Sequence, residues 1–149
     1  MRAFVIPAVL GLAFISSGCQ SQKSRSACEQ DVERLKGAID RTAGYLEEVR
    51  PELKAGFLAL DDCDVRFRAC EPALWLERAE AMRLEYLDVR ARFARAVDVY
   101  HPDACVAYMR GYSRNAPQPR TYNGFYYSLE ETGDQIDELI ERFNKRVRT

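Results

Sequence analysis

The sequence predicts an all-α protein: a long antiparallel helical hairpin stapled by two disulfides, with a C-terminal helix that turns it into a three-helix bundle. Three observations carry this expectation. Apolar residues recur at alternating intervals of 4 and 3 along two long stretches, the signature of a helix with one buried stripe. Two pairs of cysteines stand at the same interval, Cys28 to Cys63 and Cys70 to Cys105, 35 residues each. No stretch alternates with period two for long enough to form a sheet.

The first arm carries Cys28, Val32, Leu35, Ile39, Thr42, Leu46, Val49 and Leu53 on one stripe. Ser26, with Glu29 three residues on, has the arrangement of a capping box, so the helix is expected to begin there. Pro51 lacks an N–H and disfavours helix at Arg50, so a kink or a restart is expected at that point. Phe57 and Leu60 continue the stripe, and the arm should end near Asp61.

The second arm starts at Glu71-Pro72, where the missing proline N–H does no harm in a first turn. Its stripe reads Trp75, Ala79, Met82, Tyr86, Val89, Phe93, Ala96 and Tyr100. A short helix over Asp103 to Arg110, stopped by Gly111, and a loop over Arg114 to Asn123 with Pro117 and Pro119 are expected next. The last helix should be capped by Ser128 with Glu131 and carry Leu129, Gly133, Ile136, Ile140, Phe143 and Val147 inward, with Gly133 permitting close approach. At about 20 residues, or about 30 Å, it would cover only the base of the hairpin and leave a two-helix projection.

The cysteines select one topology. An interval of 35 helical residues spans about 52 Å, whereas bonded cysteines keep their Cα atoms within about 7 Å. Within an extended hairpin only Cys28–Cys105 and Cys63–Cys70 can pair, the first clamping the base and the second closing the tip. A fold-back at Pro51 would instead join Cys28 to Cys63.

Cys19 is left over. It follows Arg2, an uncharged apolar run from Ala3 to Ile15, and the small residues Ser16, Ser17 and Gly18. That run is too short for a stable bilayer span, which takes roughly 20 residues, and it has the three parts of a secretion signal. Ile15-Ser16-Ser17-Gly18-Cys19 resembles the lipobox of bacterial lipoproteins, with Ser16 in place of the usual Leu. The resemblance implies removal of residues 1–18 and lipidation of Cys19, and Gln20, which is not Asp, implies sorting to the periplasmic face of the outer membrane. Residues 19–25 then form a tether, and residues 26–149 a single helical domain. Small helical lipoproteins of the pilotin type are broadly similar, though no specific motif links them to this chain.

Composition narrows the function. Lys+Arg 22 against Asp+Glu 23 are interleaved, without the concentrated basic face of a nucleic-acid binder. His101 is the only histidine and sits where a helix should end, a position its dipole favours, which leaves Ser-His and Cys-His catalysis with one candidate base. The four remaining cysteines lack zinc spacing, and Asp61, Asp62 and Asp64 match no calcium loop. Adjacent pairs such as Glu47 and Glu48, or Glu130 and Glu131, point in different directions on a helix and read as solvated faces. Trp75, Tyr86, Phe93 and Tyr100 lie on a seam and read as core.

No catalytic residue, cofactor, metal or small-molecule substrate is therefore expected. Two segments stand out as partner-binding surfaces instead. The tip holds Arg66, Phe67 and Arg68 beside Val65 in a disulfide loop, against the plainer reading of a stapled turn. The segment before the last helix holds Arg120, Tyr122, Phe125, Tyr126 and Tyr127, residue types enriched at binding hot spots, which would serve equally to cap the base of the bundle. The expected partners are the membrane, through the lipid, and another envelope protein, with the chain acting as an adaptor or assembly factor. The alternative is an immunity or inhibitor lipoprotein that blocks a periplasmic toxin or lytic enzyme.

Overall fold

The computed structural model describes residues 23–65, 70–100, 105, 117 and 119–148. They form three helices: α1 over Arg25–Val65, α2 over Pro72–Val99 and α3 over Pro119–Val147, with no strand among the described residues. The expected helix over Asp103 to Arg110 and its stop at Gly111 lie outside the described residues, apart from Cys105.

The hairpin is stapled at both ends. Cys28 and Cys105 join the base with Cα atoms 5.8 Å apart, and Cys63 and Cys70 join the tip at 4.8 Å. The first-arm stripe faces inward: Val32, Leu35, Thr42, Val49, Leu53 and Leu60 are all buried. So are Ala79, Met82, Tyr86 and Phe93 on α2.

Three local expectations are corrected. The start of α1 is capped by Ser24, not Ser26: the Ser24 hydroxyl accepts the Ala27 N–H at 3.2 Å, and its carbonyl accepts that of Cys28 at 3.1 Å. Ser26 already lies in the first helical turn. Pro51 does not restart the first arm, because α1 runs unbroken through it for 41 residues to Val65. Pro51 and Glu47, whose carbonyl loses its amide partner, are both exposed, so water can satisfy that carbonyl.

The largest correction concerns α3, which begins at Pro119 and places Ser128 in its interior. Pro119 occupies a first-turn position that needs no N–H. The segment Tyr122 to Tyr127 extends the apolar stripe backwards, so packing overrides the loop composition around it. With 29 residues, or about 43 Å, α3 spans most of the hairpin, and no two-helix projection is left at the tip.

The register of α3 follows from its partners on α2. Tyr122 meets Tyr100 edge to face at 6.4 Å, Phe125 meets Phe93 at 6.5 Å, and Phe143 stacks on Trp75 at 6.3 Å. Arg90 pairs with Glu130 at 2.7 Å and Arg83 with Asp137 at 3.1 Å. As the number falls along α2 it rises along α3, so these helices are antiparallel and α3 runs alongside α1. Because α3 packs on two helices its buried stripe is broad, taking in Thr132 and Leu139 beside Leu129, Gly133, Ile136 and Phe143. Val147 leaves the stripe at the helix end, 46% exposed.

Candidate functional site

At the base the chain is fixed just after the expected lipidation point. The Lys23 ammonium donates to the Asp31 carboxylate at 2.7 Å and to the Val99 carbonyl at 2.8 Å. Arg34 also approaches Asp31, at 3.5 Å. Asp31 is buried, and this cluster ties Lys23, two residues before α1, to the C-terminal end of α2. Lys23, within the expected tether and four residues after Cys19, is thus held against the bundle.

The aromatic segment is divided by its own helix. Tyr122 and Phe125 are half-buried against Tyr100 and Phe93 and serve the core. Tyr127 is 74% exposed and Tyr126 41%, with Arg120 also exposed. The packing role thus holds for Tyr122 and Phe125, while Arg120, Tyr126 and Tyr127 lie on the exposed side of the helix. The Tyr126 side chain contributes to the field around Arg90, whose guanidinium is held charged chiefly by its hydrogen bond to Glu130.

At the tip, Arg66, Phe67 and Arg68 lie outside the described residues, as does His101 near the base. What the structure describes there is an open groove between the end of α1 and the start of α2, with a cavity of about 300 Å³. It is lined by Leu58 and Asp62 on one side, Glu71 and Trp75 on the other, and the Cys63–Cys70 disulfide. Leu58 is 56% exposed. Arg78 lies 4.9 Å from the centre of the Trp75 ring. A smaller polar cavity of about 130 Å³ lies between α1 and α3, with Arg50 and Glu131 among its lining residues.

Sequence reasoning missed Tyr45. Its hydroxyl is buried without a hydrogen-bond partner. Burial, then the negative charge of Glu85, then Tyr86 push its ionisation far above the ordinary tyrosine range. Tyr86 is shifted in the same direction, again mainly by burial. Position 45 follows Leu35 and Thr42 at helical spacing, a signal hidden because the main seam passes through Leu46.

Among the described residues, no group of three His, Cys, Asp or Glu side chains could hold a metal ion, and no helix is long and apolar enough to cross a membrane. No family model matches the chain, nor does any curated protein or solved structure.

Proposed function

We propose that this chain is an envelope lipoprotein: residues 1–18 direct export, Cys19 carries the lipid, and the bundle at the periplasmic face of the outer membrane binds another envelope protein as an adaptor or assembly factor. One observation carries the reading. All four cysteines beyond Cys19 are paired, which leaves Cys19 as the odd thiol of the chain and suits an oxidising compartment.

The binding role draws support from the exposed surfaces. Tyr127 and Leu84, 74% and 72% exposed, are large apolar side chains turned outward on α3 and α2 of a disulfide-stapled bundle. A rigid scaffold of this kind loses little entropy on docking a partner. A pilotin-like role falls within this class.

The test combines fractionation with crosslinking. A photoreactive amino acid in place of Tyr127 should capture one envelope protein in the intact cell, and Cys19→Ala should remove the chain from sedimented outer membranes. Unchanged sedimentation of Cys19→Ala would defeat the lipid anchor. Capture of a secreted toxin or lytic hydrolase instead of a machine component would replace the adaptor with an inhibitor.

A further inference from the structure

We infer that the outward face of α2 pairs with the same face of a second copy of this chain, the two helices running antiparallel about a two-fold axis that passes between Leu84 and Leu87. This goes beyond the adaptor reading, since it gives Leu84 an occupant and leaves Tyr127 to the envelope partner. The buried residues Met82, Tyr86 and Phe93 mark the inward side of α2. At about 100° per residue Leu84 points directly away from Phe93, and Glu77, Glu80, Ala91 and Arg95 lie within about 40° of its direction. All of them are exposed, as is Leu87 beside them.

The apolar part of this face sits at its centre. Leu84 and Leu87 are 72% and 47% exposed, and each stands about 18 Å along the axis from the nearer end of α2. The midpoint of Pro72–Val99 falls between them, so a two-fold axis there overlaps the whole of α2, about 42 Å, with its copy. Setting Leu84 against Leu87 of the copy buries four leucines together and brings Glu80 opposite Ala91, whose small side chain permits close approach. The neighbouring Asp88 already pairs with Arg92 of its own helix at 2.9 Å and brings no lone charge to the centre.

Charge selects both the occupant and its direction. Along the outward face, the half of α2 before Leu84 carries Glu77 and Glu80, and the half after Leu87 carries Arg95, whose guanidinium is held on its own helix by the Ala91 carbonyl at 3.2 Å. A face that is acidic before its apolar centre and basic after it is complementary to itself reversed, as an isologous interface requires. Antiparallel pairing sets Glu77 and Glu80 of each copy beside Arg95 of the other, twice by symmetry. A parallel pair would set Glu77 against Glu77 and Arg95 against Arg95, which repel. The two base ends then lie at opposite ends of the pair, so lipid on both copies would lay the dimer along the membrane.

Sedimentation velocity of the purified Cys19→Ala chain over a concentration series tests the pairing, and a monomer–dimer equilibrium is expected. Leu84→Asn with Leu87→Asn, both at exposed positions, should weaken dimerisation at least tenfold while the helical signal in circular dichroism stays unchanged. Arg95→Glu should weaken it at least tenfold as well, and adding Glu77→Arg and Glu80→Arg to that change should restore it. Benzoylphenylalanine in place of Ala91 should crosslink to the tryptic peptide 79–83 of the copy, which contains Glu80. A chain that stays monomeric at every concentration, a dimer that survives the leucine changes, a charge reversal that fails to rescue, or position 91 joined to position 91 would each overturn the inference. The experiment needs neither lipid nor envelope partner, so its failure leaves the adaptor reading standing. Failure of capture at Tyr127 with the dimer intact would do the reverse.

Discussion

The Tyr86 side chain packs against the backbone of Gly133: a Cβ placed on that glycine would stand 2.5 Å from both the ring Cζ and the hydroxyl oxygen. This contact fixes how closely α2 and α3 approach in the middle of the bundle. Gly133→Ala would gain about 1 kcal/mol of helix propensity. It would also force Tyr86 out of place, at an overpacking cost of about 1–3 kcal/mol. A net loss and a lower melting temperature are expected. Gly124→Ala is the control, since nothing lies within 4 Å of its Cβ position and the residue is exposed within α3. Thermal unfolding followed by circular dichroism should show that variant stabilised by about 0.5–1 kcal/mol.

Tyr45→Phe should stabilise the protein by up to about 1 kcal/mol, because it removes a buried hydroxyl that has no partner and leaves the ring packing unchanged. The same residue sets a pH dependence. Its folded-state ionisation lies above the unfolded value of about 10, so its contribution is complete below pH 10 and is lost as the pH rises beyond it. Tyr86 acts in the same sense. Denaturant unfolding between pH 8 and pH 11.5 should show stability falling above pH 10, and Tyr45→Phe should flatten that fall. An identical slope in both proteins would remove Tyr45 from the account.

Much of this fold was legible in the sequence because both long stripes and the cysteine intervals are periodic, and burial follows periodicity. Cys28, Val32, Leu35 and Leu53 are buried as their spacing requires, and each cysteine meets the partner that an extended hairpin demands. The start of α3 was not legible. Pro117, Pro119 and Asn123 read as a loop, and only the packing of Tyr122 on Tyr100 and of Phe125 on Phe93 favours helix there. The tip groove was equally hidden, since it depends on how Leu58 and Trp75 face each other across two helices that share no local motif.

The base cluster also predicts how the tether behaves. Asp31→Ala removes the carboxylate that Lys23 meets at 2.7 Å, leaving the ammonium with the Val99 carbonyl. Breaking a largely buried pair on one side costs on the order of 1–3 kcal/mol. Limited trypsin digestion should then cut after Lys23 much faster than in the wild type, while the helical content changes little. Equal rates would mean that Lys23 is not held.

The two staples should differ in weight. On chain-entropy arithmetic the base disulfide, closing a separation of 77, is worth at most about 4.5 kcal/mol, and the tip disulfide, closing 7, about 2.4 kcal/mol. Replacing Cys28 and Cys105 with Ala should lower the melting temperature more than replacing Cys63 and Cys70. Replacing the tip pair should chiefly loosen the end of the hairpin. Reversed thermal effects would contradict the assignment of base and tip.

One measurement tests the whole arrangement most directly: tryptic digestion without reduction of protein extracted from the envelope, followed by mass spectrometry. The fold predicts that peptide 26–34 is joined to 96–110 and that 55–66 is joined to 69–78. The lipoprotein reading predicts that the chain starts at Cys19 with an acylated thiol. A bond between Cys28 and Cys63 would contradict the stapled hairpin, and Cys19 found unacylated or in a disulfide would contradict the anchor.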